Sequence, residues 1–318
     1  MQNLLPLIQT ALELGLLCGL TTLALFVSYT MLNVCDLSTD GCFTLGAAVG
    51  AAVAIAGHPF LAIPAAMGAG VVSGFVTALL QTHMGVDSLL AGIIVNTGLY
   101  SVNIFIMGGA AQLNLNHTDT IFTVIKNLLT STPFSGQYRL VTAFIAVILI
   151  IIFLNFFFNT RLGLSIRATG DNPDMIRSSS VDPAFTTIIG LCVANAFTGL
   201  SGCLLSQSQK SVSIDIGSGM LTIALASLLI GRTLIPKGGV LIRASGMILG
   251  SFLFRLVYTI ALRFHMPAYM LKLISSVIVI LAIFIPYLAG RREILLKKLK
   301  RHPSRQFRQS HSPEENAP

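Results

Sequence analysis

Nine times along this chain an apolar run of about 20 residues recurs, the length that a bilayer core of about 30 Å demands of a helix rising 1.5 Å per residue. The runs lie near 9–32, 41–57, 60–80, 88–107, 139–158, 184–206, 218–235, 240–262 and 269–289. Only 10% of the residues are charged and 54% are hydrophobic, whereas soluble domains carry about 25% charged residues. A compact fold could not be covered with a solvated surface from that composition, and disorder, collagen and coiled coil fall for the same reason. The expected fold is all-α and polytopic, a bundle of about nine (8–10) transmembrane helices. Residues 1–290 are read as the transmembrane domain and 291–318 as a basic tail. The first run is not read as a cleavable signal peptide, because no Lys or Arg precedes it and its apolar stretch is too long.

Sidedness follows from the cations. Eight of the 20 Lys and Arg lie between Arg291 and Arg308, and a basic block beside an apolar span marks the cytoplasmic side and contacts anionic lipid rather than nucleic acid. With the tail inside, 232–243 (Arg232, Lys237, Arg243) and 159–183 (Arg161, Arg167, Arg177) are also inside, and the opposite loops are poorer in cations. Nine spans put the N-terminus outside; a re-entrant or split segment around Asn33–Asp40 would change that parity.

Polar groups within the apolar pattern need a reason. Residues 33–41 (Asn-Val-Cys-Asp-Leu-Ser-Thr-Asp-Gly) interrupt it with Asp36, Ser38 and Asp40. Two readings stand: a loop in water, or an unwound segment lining a cavity, since irregular backbone at membrane depth survives only where protein or water satisfies it. Asn96 and Asn103, seven residues apart, share a helix face and serve either bundle packing or a translocation pathway. Glu13 and Arg255 are charges within spans, with a pairing between them conceivable. Four GxxxG spacings, Gly15–Gly19, Gly46–Gly50, Gly70–Gly74 and Gly246–Gly250, suit close helix packing within the chain.

Chemistry-bearing motifs do not appear. The five cysteines, Cys18, Cys35, Cys42, Cys192 and Cys203, form no CxxC and suggest neither a disulfide framework nor a zinc site. The six histidines are scattered, and HExxH, GxSxG and GxxxxGK[ST] are all missing. No cofactor is expected on the chain, and any ATP must be hydrolysed elsewhere.

The stretch 159–183 is long for a connection within a bundle, where two to eight residues are usual. Asn172 before Pro173 reads as an N-cap with proline in the first turn, and Asp174 adds a favourable charge there. A short helix is expected over about 173–180. It offers Met175, Ile176 and Arg177 to a groove on a cytoplasmic partner, with Arg167 and Asp171 fixing its base. Asp182-Pro183 repeats the signal and opens the next span.

The runs Thr160-Arg161-Leu162-Gly163 and Ile166-Arg167-Ala168-Thr169-Gly170-Asp171-Asn172-Pro173 resemble the cytoplasmic coupling loop of binding-protein-dependent ABC importer permeases of the ribose and branched-chain amino acid type. The resemblance continues in Asp36-Leu37-Ser38 with Leu45-Gly46, in Phe197–Gly202, in Ile216–Gly219 with Ile230-Gly231, and in Lys237-Gly238-Gly239, from about residue 23 to 288. Residues 90–103 are similar to a subgroup linked with aromatic amino acid uptake. Thr39-Asp40 departs from the uncharged pair of many relatives, so no substrate contact is carried over to that segment.

The resemblance implies a multi-pass protein of the bacterial plasma (inner) membrane that moves a small solute inward. It implies a permease homodimer or close heterodimer, an extracytoplasmic substrate-binding protein, and a cytoplasmic ATP-binding subunit that holds ATP and magnesium. Coupling falls to Gly163, Arg167, Gly170, Asp171, Asn172, Pro173, Met175, Ile176 and Arg177. The pathway candidates are Asp36, Ser38, Asp40, Asn96 and Asn103. Rival readings are an ion-coupled secondary transporter and an importer for a sugar or nucleoside.

Overall fold

The computed structural model describes residues 5–128 and 135–263, with a few positions between 273 and 284. In chain order the elements are α1 (Leu5–Leu25, continued by a π-helical turn over Phe26–Met31), α2 (Thr39–Ile55), α3 (Ala62–Thr82), α4 (Ser88–Ile106), β1 (Gln112–Asn114), α5 (Ile121–Leu128), α6 (Tyr138–Phe158), α7 (Arg161–Asp171), α8 (Pro173–Ser178), α9 (Pro183–Gln209), β2 (Ser211–Ser213), α10 (Met220–Leu234) and α11 (Val240–Arg263).

Six of these helices, α1 with its π turn, α3, α4, α6, α9 and α11, are long and apolar enough to cross a membrane. This corrects the expectation of about nine. Two of the expected spans form shorter helices, α2 with 17 residues and α10 with 15. The ninth, 269–289, is described only at a few positions between 273 and 284, and the basic tail 291–318 lies outside the described residues. α10 begins only at Met220, after the glycine-rich segment 214–219, and α2, which already starts at Thr39, ends at Ile55 ahead of the turn at Gly57 (φ +88°). β1 and β2 add one small antiparallel pair, Leu113 opposite Val212.

α1 and α9 form the centre, each 78% buried over its apolar window, whereas α4 and α6 are 28% buried and face outward. The approach of these helices rests on glycine, since lipid supplies no hydrophobic drive between them. A Cβ on Gly46 of α2 would land on the Gly199 carbonyl of α9, and one on Gly202 of α9 would land on the Phe43 carbonyl of α2. Gly70 of α3 meets the Asn195 carbonyl, Gly15 of α1 meets Phe252 of α11, and Gly250 of α11 meets the Ser227 carbonyl of α10. All four GxxxG spacings are thus used inside the chain.

These pairings set direction. Gly15 and Gly19 face Phe252 and Ile248, so α1 and α11 are antiparallel; Gly70 and Gly74 face Asn195 and Leu191, so α3 and α9 are too. Gly46 and Gly50 face Gly199 and Cys203, which makes α2 parallel to α9. The helices therefore alternate, with α7, α8, Arg232 and Arg243 at one end and the β1–β2 pair at the other. We call the first the basic end.

Candidate functional site

The segment between the π turn and α2 is folded into protein. Asp36 is 2% exposed. Its Oδ2 accepts from Asn195 Nδ2 at 2.7 Å and its Oδ1 from the Ser38 amide at 2.8 Å. Ser38 Oγ accepts from Thr77 Oγ1 of α3 at 3.3 Å, and Thr39 Oγ1 donates to the Asp36 carbonyl at 2.8 Å. A carboxylate away from water needs such donors. Of the two readings of this stretch, the loop in water fails for residues 36–39, while Asn33, at φ +57°, is exposed. Asp36 and Ser38 hold the unwound backbone between α3 and α9 rather than lining an open space.

Asp40 sits one turn further on and does something else. Its Oδ2 accepts from the Gly219 amide at 3.0 Å and its Oδ1 from the Leu221 amide at 2.7 Å. It therefore caps α10 from a different helix, where the free amides and positive end of the helix dipole favour an anion. Thr44 Oγ1 accepts from the Gly217 amide at 3.2 Å, which ties the same 214–219 segment to α2.

Beside this cap lies a cavity of about 440 Å³ between α2, α4 and the segment before α10. Asp40, Thr44, Asn96, Tyr100, Asn103 and Asp215 supply much of its polar lining. Asn103 is 1% exposed and donates from Nδ2 to the Gly41 carbonyl at 3.1 Å, while its Oδ1 has no partner. Asn96 lies over Gly41, close enough that a Cβ there would meet Asn96 Oδ1 at 2.6 Å. Three of the five pathway candidates, Asp40, Asn96 and Asn103, thus share one cavity, and two do not. The sequence reading missed Thr44, Tyr100 and Asp215; the seven-residue stripe on α4 could have pointed to Tyr100, but nothing local joins Asp215 to α2.

At the basic end the stretch read as a loop is mostly helix. Thr160 caps α7 by accepting from the Gly163 amide at 3.3 Å. A Cβ on Gly163 would strike the Phe157 carbonyl, and one on Gly170 the Met31 carbonyl at the end of the π turn. Ile166 is buried, and Thr169 Oγ1 meets Thr186 Oγ1 of α9 at 2.8 Å. Thr160, a threonine in the N-cap position, could have signalled this helix.

Asn172 ends α7 and caps α8, accepting from the Asp174 and Met175 amides at 3.1 Å each, with Pro173 in the first turn. α8 stops at Ser178 and Ser180 turns the chain back at φ +60°. Met175 is 64% exposed, and Arg177 stands in solvent 3.7 Å from Asp174. Ile176, expected to face a partner, is 7% exposed and packs into its own chain. Replacing Asn172 with Ala is expected to cost about 1 kcal/mol of local stability. Hydrogen exchange at the amides of 174–178 should accelerate about fivefold with α6 and α9 unchanged; unaltered protection would mean the cap carries no weight.

Arg255 is 8% exposed, with Nη2 2.8 Å from Cys18 Sγ and its guanidinium 5.5 Å from the Tyr258 ring centroid. Glu13 instead accepts from Gln9 Nε2 at 3.2 Å, so the conceivable Glu13–Arg255 pair is not formed. Among the described residues no cluster of three or more His, Cys, Asp or Glu could hold a metal.

Residues 7–283 match the family described as branched-chain amino acid transport system, permease component. A tyrosine transport system permease protein of Clostridioides difficile is 31% identical over 89% of this chain and 91% of its own length. The protein named "Probable branched-chain amino acid transport permease protein LivH" in Methanocaldococcus jannaschii is 27% identical over 87% of this chain and 81% of its own. A nucleoside ABC transporter permease protein of Lactococcus lactis is 26% identical over 49% of this chain and 47% of its own. No solved structure matches.

Proposed function

From the premise that this chain belongs to the permease component family of branched-chain amino acid transport systems, which its match over residues 7–283 shows, we propose that it imports an amino acid with an aromatic side chain on ATP hydrolysed by a separate subunit. The chain is a membrane-embedded permease subunit of an ABC importer for a small solute, a transport protein rather than an enzyme, and crosses the plasma (inner) membrane several times. The aromatic amino acid is supported by the similarity to a permease named for tyrosine transport over nine tenths of the chain and by residues 90–103. The nucleoside permease of Lactococcus lactis has the shorter match, across 49% of the chain.

The observation that carries the coupling is the peg itself, α8 capped by Asn172 and presenting Met175 on the basic end. Cation-rich loops put that end in the cytoplasm, where a helix this short and this rigidly capped suits a groove on the ATP-binding subunit. Residues 1–290 act as the permease domain and 291–318 as a basic tail against lipid. A pair of permease chains and an external binding protein complete the assembly, with the β1–β2 end toward the binding protein.

Force applied to α8 has a continuous route inward. α8 stands on α7, Gly170 of α7 abuts the Met31 carbonyl, and the chain from Met31 runs directly into the unwound segment held by Asp36. That segment opens α2, whose Asp40 holds the start of α10 beside the 440 Å³ cavity. Swinging such a bundle from 1:99 to 99:1 between two states needs about 5.5 kcal/mol of differential partner binding. Asp40, Asn96 and Asn103 line the route of the solute in this account. Asp40→Ala removes two acceptors from the α10 start and is expected to lower transport at least about tenfold with assembly retained; wild-type transport in that variant would remove Asp40 from the route.

Reconstitution tests the whole reading. Vesicles holding this chain, its ATP-binding subunit and the external binding protein should accumulate an aromatic amino acid only with ATP inside the motor compartment. Uphill transport by this chain alone on a proton or sodium gradient would establish the ion-coupled rival instead.

A further inference from the structure

Between the π turn of α1, α7, and the facing ends of α10 and α11 lies a second cavity, of about 360 Å³. Arg167, Arg232 and Arg243 line it with one carboxylate, Asp171, so three cations face one anion. None of the three arginines forms a close ion pair among the described residues. Thr30, also in the lining, has a buried hydroxyl oxygen without a partner. The guanidinium of Arg243 lies 5.6 Å from the Phe26 ring centroid, a contact that holds it in place but supplies no acceptor oxygen.

Guanidinium groups gathered in one cavity repel one another unless an anion joins them, and their planar forks fit phosphate oxygens bidentately. The cavity lies among helix ends on the basic side, which the proposed orientation sets at the level of headgroups rather than of acyl chains. We propose that it binds the phosphate of an anionic phospholipid headgroup, which joins α7 to the ends of α10 and α11. Free phosphate has the same chemistry but lacks the acyl chains that hold a headgroup at this depth. Because α7 carries α8, an occupied cavity stiffens the base of the peg. The proposal rests on the placement of the basic end at the membrane surface and is independent of which solute is carried.

The test uses the full chain purified in detergent, with lipid retention read by native mass spectrometry. Phosphatidylglycerol should bind at least about tenfold more tightly than phosphatidylcholine, whose choline cation the arginines oppose. Arg232→Gln with Arg243→Gln should remove that tenfold preference. Arg232→Gln alone, at an exposed position, should remove part of it, and Arg232→Lys, which keeps the charge but not the fork, should retain more of it than Arg232→Gln does. Inorganic phosphate at equal concentration should bind the wild type more weakly than phosphatidylglycerol. A phosphatidylglycerol preference that survives both glutamine variants would overturn the proposal. So would inorganic phosphate competing as an equal, which makes the occupant a free anion, or a cavity filled only when the ATP-binding subunit is present, which makes it a protein carboxylate.

Discussion

Gly202→Val is expected to lower the melting midpoint of the bundle sharply and to cut the yield of folded protein. The position faces α2, and a Cβ there falls on the Phe43 carbonyl, a backbone atom that cannot rotate away as a side-chain tip could. Gly46 makes the reciprocal demand, its own Cβ direction occupied by the Gly199 carbonyl. Valine at either position must push α2 from α9 along a parallel seam that also positions Asp36 against Asn195 and, through α2, Asp40 against α10. Overpacking a well-filled core costs about 1–3 kcal/mol where side chains can shift, and here backbone must move, so about 3 kcal/mol or more is expected. Domains have about 5–15 kcal/mol to lose. The melting midpoint in detergent and the yield of monodisperse protein measure it. Gly68→Val, where nothing lies within 4 Å of the added Cβ, serves as the control. If both variants melt alike, close helix approach is not what orders this bundle.

Met175→Asp is expected to have the opposite profile, a normal bundle that no longer holds its ATP-binding subunit. Met175 is 64% exposed, so a carboxylate there costs the isolated chain little. In a partner's groove the same charge is buried without a mate, and a central contact of this kind is worth about 2 kcal/mol or more, which is at least about thirtyfold in affinity. Ile176 is the wrong residue for this experiment. It is buried in its own chain, and Asp there would destabilise α8 itself, confusing loss of contact with loss of the peg.

The contrast between those two neighbours shows what the sequence could and could not deliver. The cap at Asn172-Pro173 is local chemistry, and it was legible because an N-cap depends only on the next three amides. Which of Met175 and Ile176 turns inward depends on where α7 and α9 lie, and on a six-residue helix the period is too short to say. The same division runs through the bundle. Apolar length located six spans correctly, but it could not distinguish them from α2 and α10, which stop at 17 and 15 residues. Asp36 and Asp40 look alike in sequence, four residues apart. One is fixed by Asn195, 159 residues away, and the other by amides about 180 residues away, so their roles diverge through contacts no local pattern encodes. Asn96 and Asn103 were paired by helical spacing alone, and both line the cavity.

A photo-crosslinking amino acid at position 175, in membranes carrying the assembled importer, tests most directly whether a separate motor takes hold of the capped peg on the basic end. Illumination should join this chain to its ATP-binding subunit, with an adduct that forms in wild-type background and disappears when α8 is replaced by a flexible Gly-Ser segment of equal length. Adducts to the external binding protein, or an adduct to the motor that persists without the helix, would contradict that hold on the peg.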